Sequence, residues 1–223
     1  RIHDATAAMD ALLKGLLDLS RLDSGTIEPR LRTVALAPAF QAIELHHQPA
    51  AAEKNLRLRF HPTALAVSTD PLLLDQILRN LVDNAIRHTT SGGVLVGARR
   101  RGGSVLLQVW DSGPGIAAES QGVVFEEFVQ LDNRARDGAR GLGLGLAIVQ
   151  RSARMLGRAV ALRSVPGRGS CFSIELPRAA SNPPDDARPA PQAQPLAGIA
   201  VWMIEDNASV RDGDYAAHTR NAN

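Results

Sequence analysis

Two asparagines, one acid and two glycine clusters are the residues of this chain whose types and spacing could do chemistry. Asp111 opens the run Asp111-Ser112-Gly113-Pro114-Gly115, and Gly141-Leu142-Gly143-Leu144-Gly145 leads into an apolar stretch. A carboxylate at the end of a strand can accept a hydrogen bond from an exocyclic amine, and glycines let backbone approach a ligand closely. A helix that starts after a glycine loop turns free N–H groups and the positive end of its dipole toward an anion. The combination describes a nucleotide site: an acid for the base, a helix N-terminus for phosphates, and a polar, Arg-bearing segment between them as a lid. No Gly-Lys-Ser/Thr follows the glycines, so the loop is not a P-loop, and it lacks the βαβ setting of a dinucleotide fingerprint.

The elements that must position these groups are legible around them. Asp70-Pro71 is a helix start, an N-cap acid followed by proline in the first helical position. The helix it opens runs to about Thr89 with Leu74, Ile77, Leu78, Leu81, Val82 and Ala85 as its apolar stripe. Asn80, Asn84, Arg87 and His88 share another face or its border. Alone, that face reads as a solvated polar side. Beside the glycine stretch it reads as functional, because an Asn amide oxygen is a hard neutral ligand suited to a Mg²⁺ held mainly by phosphate oxygens and water. Arg87 and His88 would then meet phosphates.

Strands are predicted at residues 56–60, 66–68, 94–99, 104–110, 159–164 and 170–176, with a turn at Gly102-Gly103. Helices are predicted over Leu36 to Glu53, where Phe40, Ile43 and His47 share a side, and over residues 146–156. Residues 26–34 read as extended. Residues 1–20 read as a helix in which Ala5, Met9, Leu12, Leu16 and Leu19 form a short coiled-coil seam widened by Leu13 and Leu17. Residues 178–196 change to a Pro/Ala-rich linker composition.

Composition bounds the class. A chain of 223 residues with 44% hydrophobic content builds one or two domains with a real core, filled by Leu, Val and Ala because aromatics are only 4%. The net charge of +2 excludes a strongly basic nucleic-acid binder. Arg99-Arg100-Arg101, the one positive run, reads as a solvated hairpin tip. No apolar run is long enough to span a bilayer. The single Cys171 reads as a buried core thiol, consistent with a reducing compartment. An opening Arg suggests a piece of something longer.

The run Asp75-Gln76-Ile77-Leu78-Arg79-Asn80-Leu81-Val82-Asp83-Asn84-Ala85-Ile86-Arg87-His88-Thr89 resembles the N box of sensor histidine kinases. Val109-Trp110-Asp111-Ser112-Gly113-Pro114-Gly115-Ile116 resembles their G1 box, Val124-Phe125-Glu126-Glu127-Phe128 their F box, residues 141–149 their G2 box, and Gly167-Arg168-Gly169-Ser170 the final glycine turn. The resemblance covers residues 26–177 and implies a Bergerat-type ATP-binding fold, a two-layer α/β sandwich with a mixed sheet covered by helices on one face and a helix before it. It implies that Asp111 accepts from the adenine N6 amine in a pocket shaped by Gly113, Gly115 and Ile116, with Ser170 among the nucleotide-binding residues. Asn84 would coordinate Mg²⁺ with Asn80 beside it, and Gly141, Leu142, Gly143, Leu144 and Gly145 would admit the phosphates. The γ-phosphoryl group of ATP would pass to a histidine. In the hydrolysing relatives of the superfamily an acid one turn before the metal Asn activates water; here that position is Asn80, which cannot act as a general base.

Residues 16–25 similarly resemble the end of the second helix of the family's dimerisation hairpin, so the phosphoacceptor His is expected upstream and His3 reads as an ordinary surface residue. Within the lid at 117–140, Phe125 and Phe128 read as anchors or plain core, and Arg134, Arg136 and Arg140 as solvated or as contacts to phosphate or the dimerisation helices. Val201-Trp202-Met203-Ile204-Glu205-Asp206-Asn207 resembles the first strand and acidic pair of a response-regulator receiver domain, which makes 197–223 a truncated receiver or a tail. The expected parent is a bacterial hybrid kinase. It would act as a homodimer with a receiver domain as partner, in the cytoplasm or anchored to a membrane from there. A non-catalytic ATP-binding module and an ATPase of the same fold are the alternatives.

Overall fold

A computed structural model of the chain describes Leu13, Gly15 and Leu17 together with residues 28–131 and 143–179. The expected seam at Ala5, Met9, Leu12, Leu16 and Leu19, His3, the lid arginines 134, 136 and 140, Gly141, Leu142, the linker beyond Ala179 and the acidic strand at 201–207 lie outside the described residues; Arg178 and Ala179, expected to open the linker, are instead held to the fold, their N–H groups donating to Gly103 O (3.1 Å) and Ala66 O (3.0 Å).

In chain order the elements are β1 (Arg32–Ala35), α1 (Leu36–Glu53), β2 (Arg57–Phe60), β3 (Ala66–Thr69), α2 (Pro71–His88), β4 (Gly93–Arg101), β5 (Ser104–Asp111), α3 (Gly145–Met155), β6 (Val160–Val165) and β7 (Gly169–Pro177). Five strands make one mixed sheet in the order β2-β4-β5-β7-β6. Only β2 and β4 run parallel; every other pair is antiparallel. The short strand expected at 66–68 does not join this sheet. It pairs antiparallel with β1 as a separate two-stranded ribbon, Arg32 opposite Thr69 and Ala35 opposite Ala66.

Alternation sets the core. Val105, Leu107 and Val109 of β5 point inward beside Val94 and Val96 of β4 and Phe172, Ile174 and Leu176 of β7, and all are buried. The apolar stripe of α2 closes over them, with Ile77, Leu78 and Val82 fully covered. Each such side chain contributes about 1.5–3 kcal/mol of burial free energy. The result is the expected two-layer α/β sandwich, helices on one face of a mixed sheet.

The start of α2 is fixed as its sequence dictates. Asp70 Oδ1 accepts from the N–H groups of Leu72 (2.9 Å) and Leu73 (3.2 Å), and Pro71 fills the first turn. Asp70 Oδ2 accepts from Arg30 N at 2.7 Å, tying the approach to β1 to the same cap. Its end is held by a residue the sequence did not single out. Lys54 Nζ donates to Arg87 O (2.7 Å) and Ile86 O (2.9 Å), a cation on the last carbonyls of a helix. Lys54→Met is expected to lower stability by about 0.5–1 kcal/mol, read as a fall of a few degrees in Tm.

His47, on the buried side of α1, joins α1 to α2. Nδ1 donates to Ile43 O at 2.8 Å, and Nε2 lies 3.0 Å from Asp83 Oδ1, within ion-pair reach but off the line of a hydrogen bond. Burial opposes its charge, yet the Asp83 carboxylate and the Ile43 carbonyl together prevail and raise its pKa above the usual 6.5. A histidine raised in the folded state contributes stability in full below its unfolded pKa and loses that contribution as pH rises through the folded value. The Tm is therefore expected to fall as pH climbs from about 6.5 upward, with a shallower slope in Asp83→Asn.

Candidate nucleotide site

One helix connects the two ends of the site. Asn80, half-buried in the middle of α2, donates from Nδ2 to Gln76 O at 2.8 Å and turns Oδ1 toward the start of α3, where a Cβ on Gly145 would lie 3.2 Å away. At the C-terminus of α2 the carbonyl of His88 backs onto the glycine turn, 3.2 Å from where a Cβ on Gly113 would stand. These two contacts are about 12 Å apart along the helix axis, the length scale of a nucleoside triphosphate. Asn84, also half-buried, lies midway between them, and Arg87 and His88 are exposed at the end.

Asp111 ends β5 opposite Ser170 of β7. Its Oδ1 accepts from Gly113 N at 2.9 Å. Burial pushes its pKa up, only partly offset by hydrogen bonds from the Gly113 backbone and from the backbone and hydroxyl of Ser170. The carboxylate is thus held firmly but left short of donors, which suits it to accept from a ligand amine.

The turn after Asp111 is strapped to the β6–β7 hairpin. Ile116 N donates to Ser164 Oγ at 2.7 Å, Gly167 N to Pro114 O at 2.7 Å, and Ser164 Oγ lies 3.0 Å from Ser170 Oγ. Gln121 Nε2 donates to both Ile116 O and Ser164 O, each at 3.0 Å. At Gly115, where φ is +71°, a Cβ would collide with the carbonyl oxygen of Val165, so glycine is required there.

At the other end, Gly143 O accepts from Phe128 N at 3.1 Å, which pins the two sides of the expected lid together at its base. Phe125 packs edge-on against Phe172 with ring centroids 6.1 Å apart, whereas Phe128 is 55% exposed and holds a left-handed backbone, φ +62°. Of the two expected anchors, only Phe125 is packed into the core. Leu144, buried, caps α3, which begins at Gly145, one residue earlier than its periodicity suggested. Ser152 Oγ donates to Gln76 Oε1 at 2.8 Å and so sets the crossing of α2 and α3.

The structure thus gathers Asp111, Gly113, Gly115, Ile116 and Ser170 at the C-terminal end of α2, and sets Gly145, with Gly143 and Leu144 before it, against Asn80 in the middle of that helix. Gln76, Ser152, Ser164 and Gln121 were missed. Each is a single polar residue on an ordinary helix, strand or turn, and nothing local marks it. Cys171 is buried as expected, its thiol pushed up to about 12 by burial above all. Arg101 is not merely solvated; its Nη1 lies 3.2 Å from Glu175 Oε2. Among the described residues no group of three or more His, Cys, Asp or Glu gathers as a metal cluster, and no helix is long and apolar enough to cross a membrane.

A desolvated acid at a strand end, a helix N-terminus behind glycines and an asparagine-bearing helix linking them are set on an α/β sandwich in the arrangement a nucleotide site needs. The chain belongs to the histidine kinase-, DNA gyrase B- and HSP90-like ATPase family, whose match spans residues 69–180. It is 32% identical over 222 residues to the sensor histidine kinase AtsR of Burkholderia thailandensis, a match covering 95% of this chain and 37% of that protein. It is 34% identical over 209 residues to the autoinducer 2 sensor kinase/phosphatase LuxQ of Vibrio cholerae, covering 88% of this chain and 24% of LuxQ. Among solved structures, full-length ShkA in complex with AMPPNP matches with a TM-score of 0.68 and 34% identity, over 78% of this chain and 36% of ShkA. The chain therefore spans well under half the length of each of these proteins.

Proposed function

We propose that this chain carries the ATP-binding catalytic domain of a sensor histidine kinase, which positions ATP for transfer of its γ-phosphoryl group to a histidine of a dimerisation hairpin. The observation that carries the reading is α2, whose C-terminus backs the Asp111 turn and whose middle, at Asn80, faces the start of α3. Family membership and the kinase relatives support it.

Asp111 binds the adenine amine, and the turn at Gly113 to Ile116, held through Ser164 and Ser170, walls the base. Gly143, Leu144 and Gly145 leave backbone N–H groups at the start of α3 for the phosphates, and the motif adds Gly141 and Leu142 to the same loop. Arg87 and His88 are assigned to phosphates by their motif alone; they are exposed at the C-terminus of α2, the end that backs the Asp111 turn. A neutral amide, with no carboxylate cluster among the described residues, fits a Mg²⁺ whose charge phosphate oxygens neutralise, and Asn84 is the residue that would hold it. The metal would supply charge neutralisation at the phosphates. Asn80, bound to its own helix at Gln76 O, brings no carboxylate to activate water. Hydrolysis is accordingly slow, and the phosphoryl group is kept for histidine.

The work of the domain is positioning and electrostatic stabilisation rather than covalent chemistry. A domain that consumes ATP works in the cytoplasm, within a homodimeric parent that passes phosphate on to a receiver domain. The test is to mix the chain with a family dimerisation hairpin carrying the phosphoacceptor histidine, in γ-labelled ATP. Acid-labile, base-stable label should appear on the hairpin and none on the chain alone. Free phosphate released in place of label would contradict the reading.

A further inference from the structure

We propose that Gln121 is a positioning residue for base recognition: it clamps Ile116 beside the base and ties that end of the site to the glycine loop at Gly143. Its role in recognition rests on the nucleotide reading; the clamp itself does not. Ile116 spends both of its backbone groups on the clamp. Its N–H donates to Ser164 Oγ at 2.7 Å, and its carbonyl accepts from Gln121 Nε2 at 3.0 Å. The second N–H of the same amide goes to Ser164 O, also at 3.0 Å. Both partners are carbonyls, so the hydrogen bonds dictate which way the amide points. Ser164 Oγ lies 3.0 Å from Ser170 Oγ, and Ser170 donates to Asp111. Gln121 therefore closes a ring around the residue assigned to wall the adenine.

The same residue begins a strap that reaches the phosphate end. Val124 is buried, Phe125 packs edge-on against Phe172, and Glu127 Oε1 lies 2.6 Å from Arg151 Nη1 on α3. Phe128 N then donates to Gly143 O at 3.1 Å. One short segment, Gln121 to Phe128, thus holds the Asp111 turn at one end and the glycine loop at the other, with a packed ring between. Ile116 and Gly143 cannot shift independently while it is in place. A base seated against Ile116 presets the loop assigned to the phosphates, which is positioning of the kind phosphoryl transfer needs. A side chain there only to fill space would need no donors. The two bonds from one amide are what distinguish a clamp from packing.

The test compares the full chain with Gln121→Met, which keeps the length of the side chain and removes its donors, by two readouts. Hydrogen exchange without nucleotide reads the strap. In Gln121→Met the amides of Ile116 and Phe128 should exchange roughly tenfold faster while those of β5 keep their rates. Faster exchange at Ile116 alone overturns the tie to Gly143, and unchanged rates overturn the clamp. Titration with ATP and with GTP reads recognition. GTP carries a carbonyl oxygen where ATP carries the amine, so its binding draws less on the seat that Ile116 fixes. Gln121→Met should bind ATP about tenfold more weakly and GTP nearly as the parent does, so the ratio between them falls about tenfold. An equal loss for both nucleotides, or none, overturns the positioning role. Gln121→Lys is the rescue, because an ammonium can donate to two carbonyls at once. Its exchange rates and its ATP-to-GTP ratio should return toward the parent values. A Lys variant no better than the Met variant overturns the role of the donors, whether or not the Met variant folds. A parent chain that binds no ATP overturns the nucleotide reading and the role in recognition with it, while the exchange rates still decide the strap.

Discussion

Asp111→Asn should weaken ATP binding by roughly 30- to 1000-fold and leave the folded domain at least as stable as the parent at neutral pH. The two effects have one cause. Burial raises the pKa of Asp111, and the hydrogen bonds from Gly113 and Ser170 recover only part of the cost. An acid raised in the fold contributes stability below its unfolded pKa that is lost as pH rises through the folded value. At pH 7 the ionised carboxylate is therefore a burden on the empty site, and an amide of the same shape removes it. Asn still offers Oδ1 to Gly113 N, but its second atom becomes a donor facing the adenine amine, itself a donor. A buried mismatch of this kind costs about 2–4 kcal/mol, a loss of roughly 30- to 1000-fold in affinity. Calorimetric titration with ATP and thermal unfolding on the same samples read both effects. A variant that is less stable and still binds would show that Asp111 is a structural residue.

Gly115→Ala should cost about 3 kcal/mol or more of stability and remove nucleotide binding with it. Its φ of +71° is one that side chains rarely adopt, and the added Cβ meets the Val165 carbonyl, which is backbone and cannot turn aside. The Gly167 N to Pro114 O bond and the Ile116 N to Ser164 Oγ bond keep the turn too close to the hairpin to relax. Gly103→Ala is the internal comparison, because a Cβ there meets nothing within 4 Å. A Tm lowered by at least about 6 °C in the first variant and unchanged in the second is the expected pair of results. Equal effects would mean that the Asp111 turn is not held by the β6–β7 hairpin.

The elements were legible where one local rule dominates. The Asp70 cap with Pro71, the apolar stripe of α2 and the alternation in β5 and β7 each specify their element without help from elsewhere. The acid and the glycines of the site were legible because they depart from local rules: a carboxylate at a strand end and clustered glycines serve a ligand better than they serve a fold. What depends on distant partners was not legible. That β3 pairs with β1 rather than with the main sheet follows from register across α1 and β2. Lys54 reaches α2 from across the fold, and Ser164 acquires its role only when Ile116 and Ser170 arrive beside it. Phe125 and Phe128 look alike in sequence, yet one meets Phe172 and the other is turned outward by the backbone that meets Gly143.

Equilibrium ATP binding with and without Mg²⁺, on this chain and on Asp111→Ala, with released phosphate followed in the same samples, tests the central claim most directly. Binding should depend on Mg²⁺ and be lost on the substitution, with negligible phosphate release. Binding that survives in Asp111→Ala, or rapid phosphate release from a site whose only group at the water-activating position is Asn80, would contradict it.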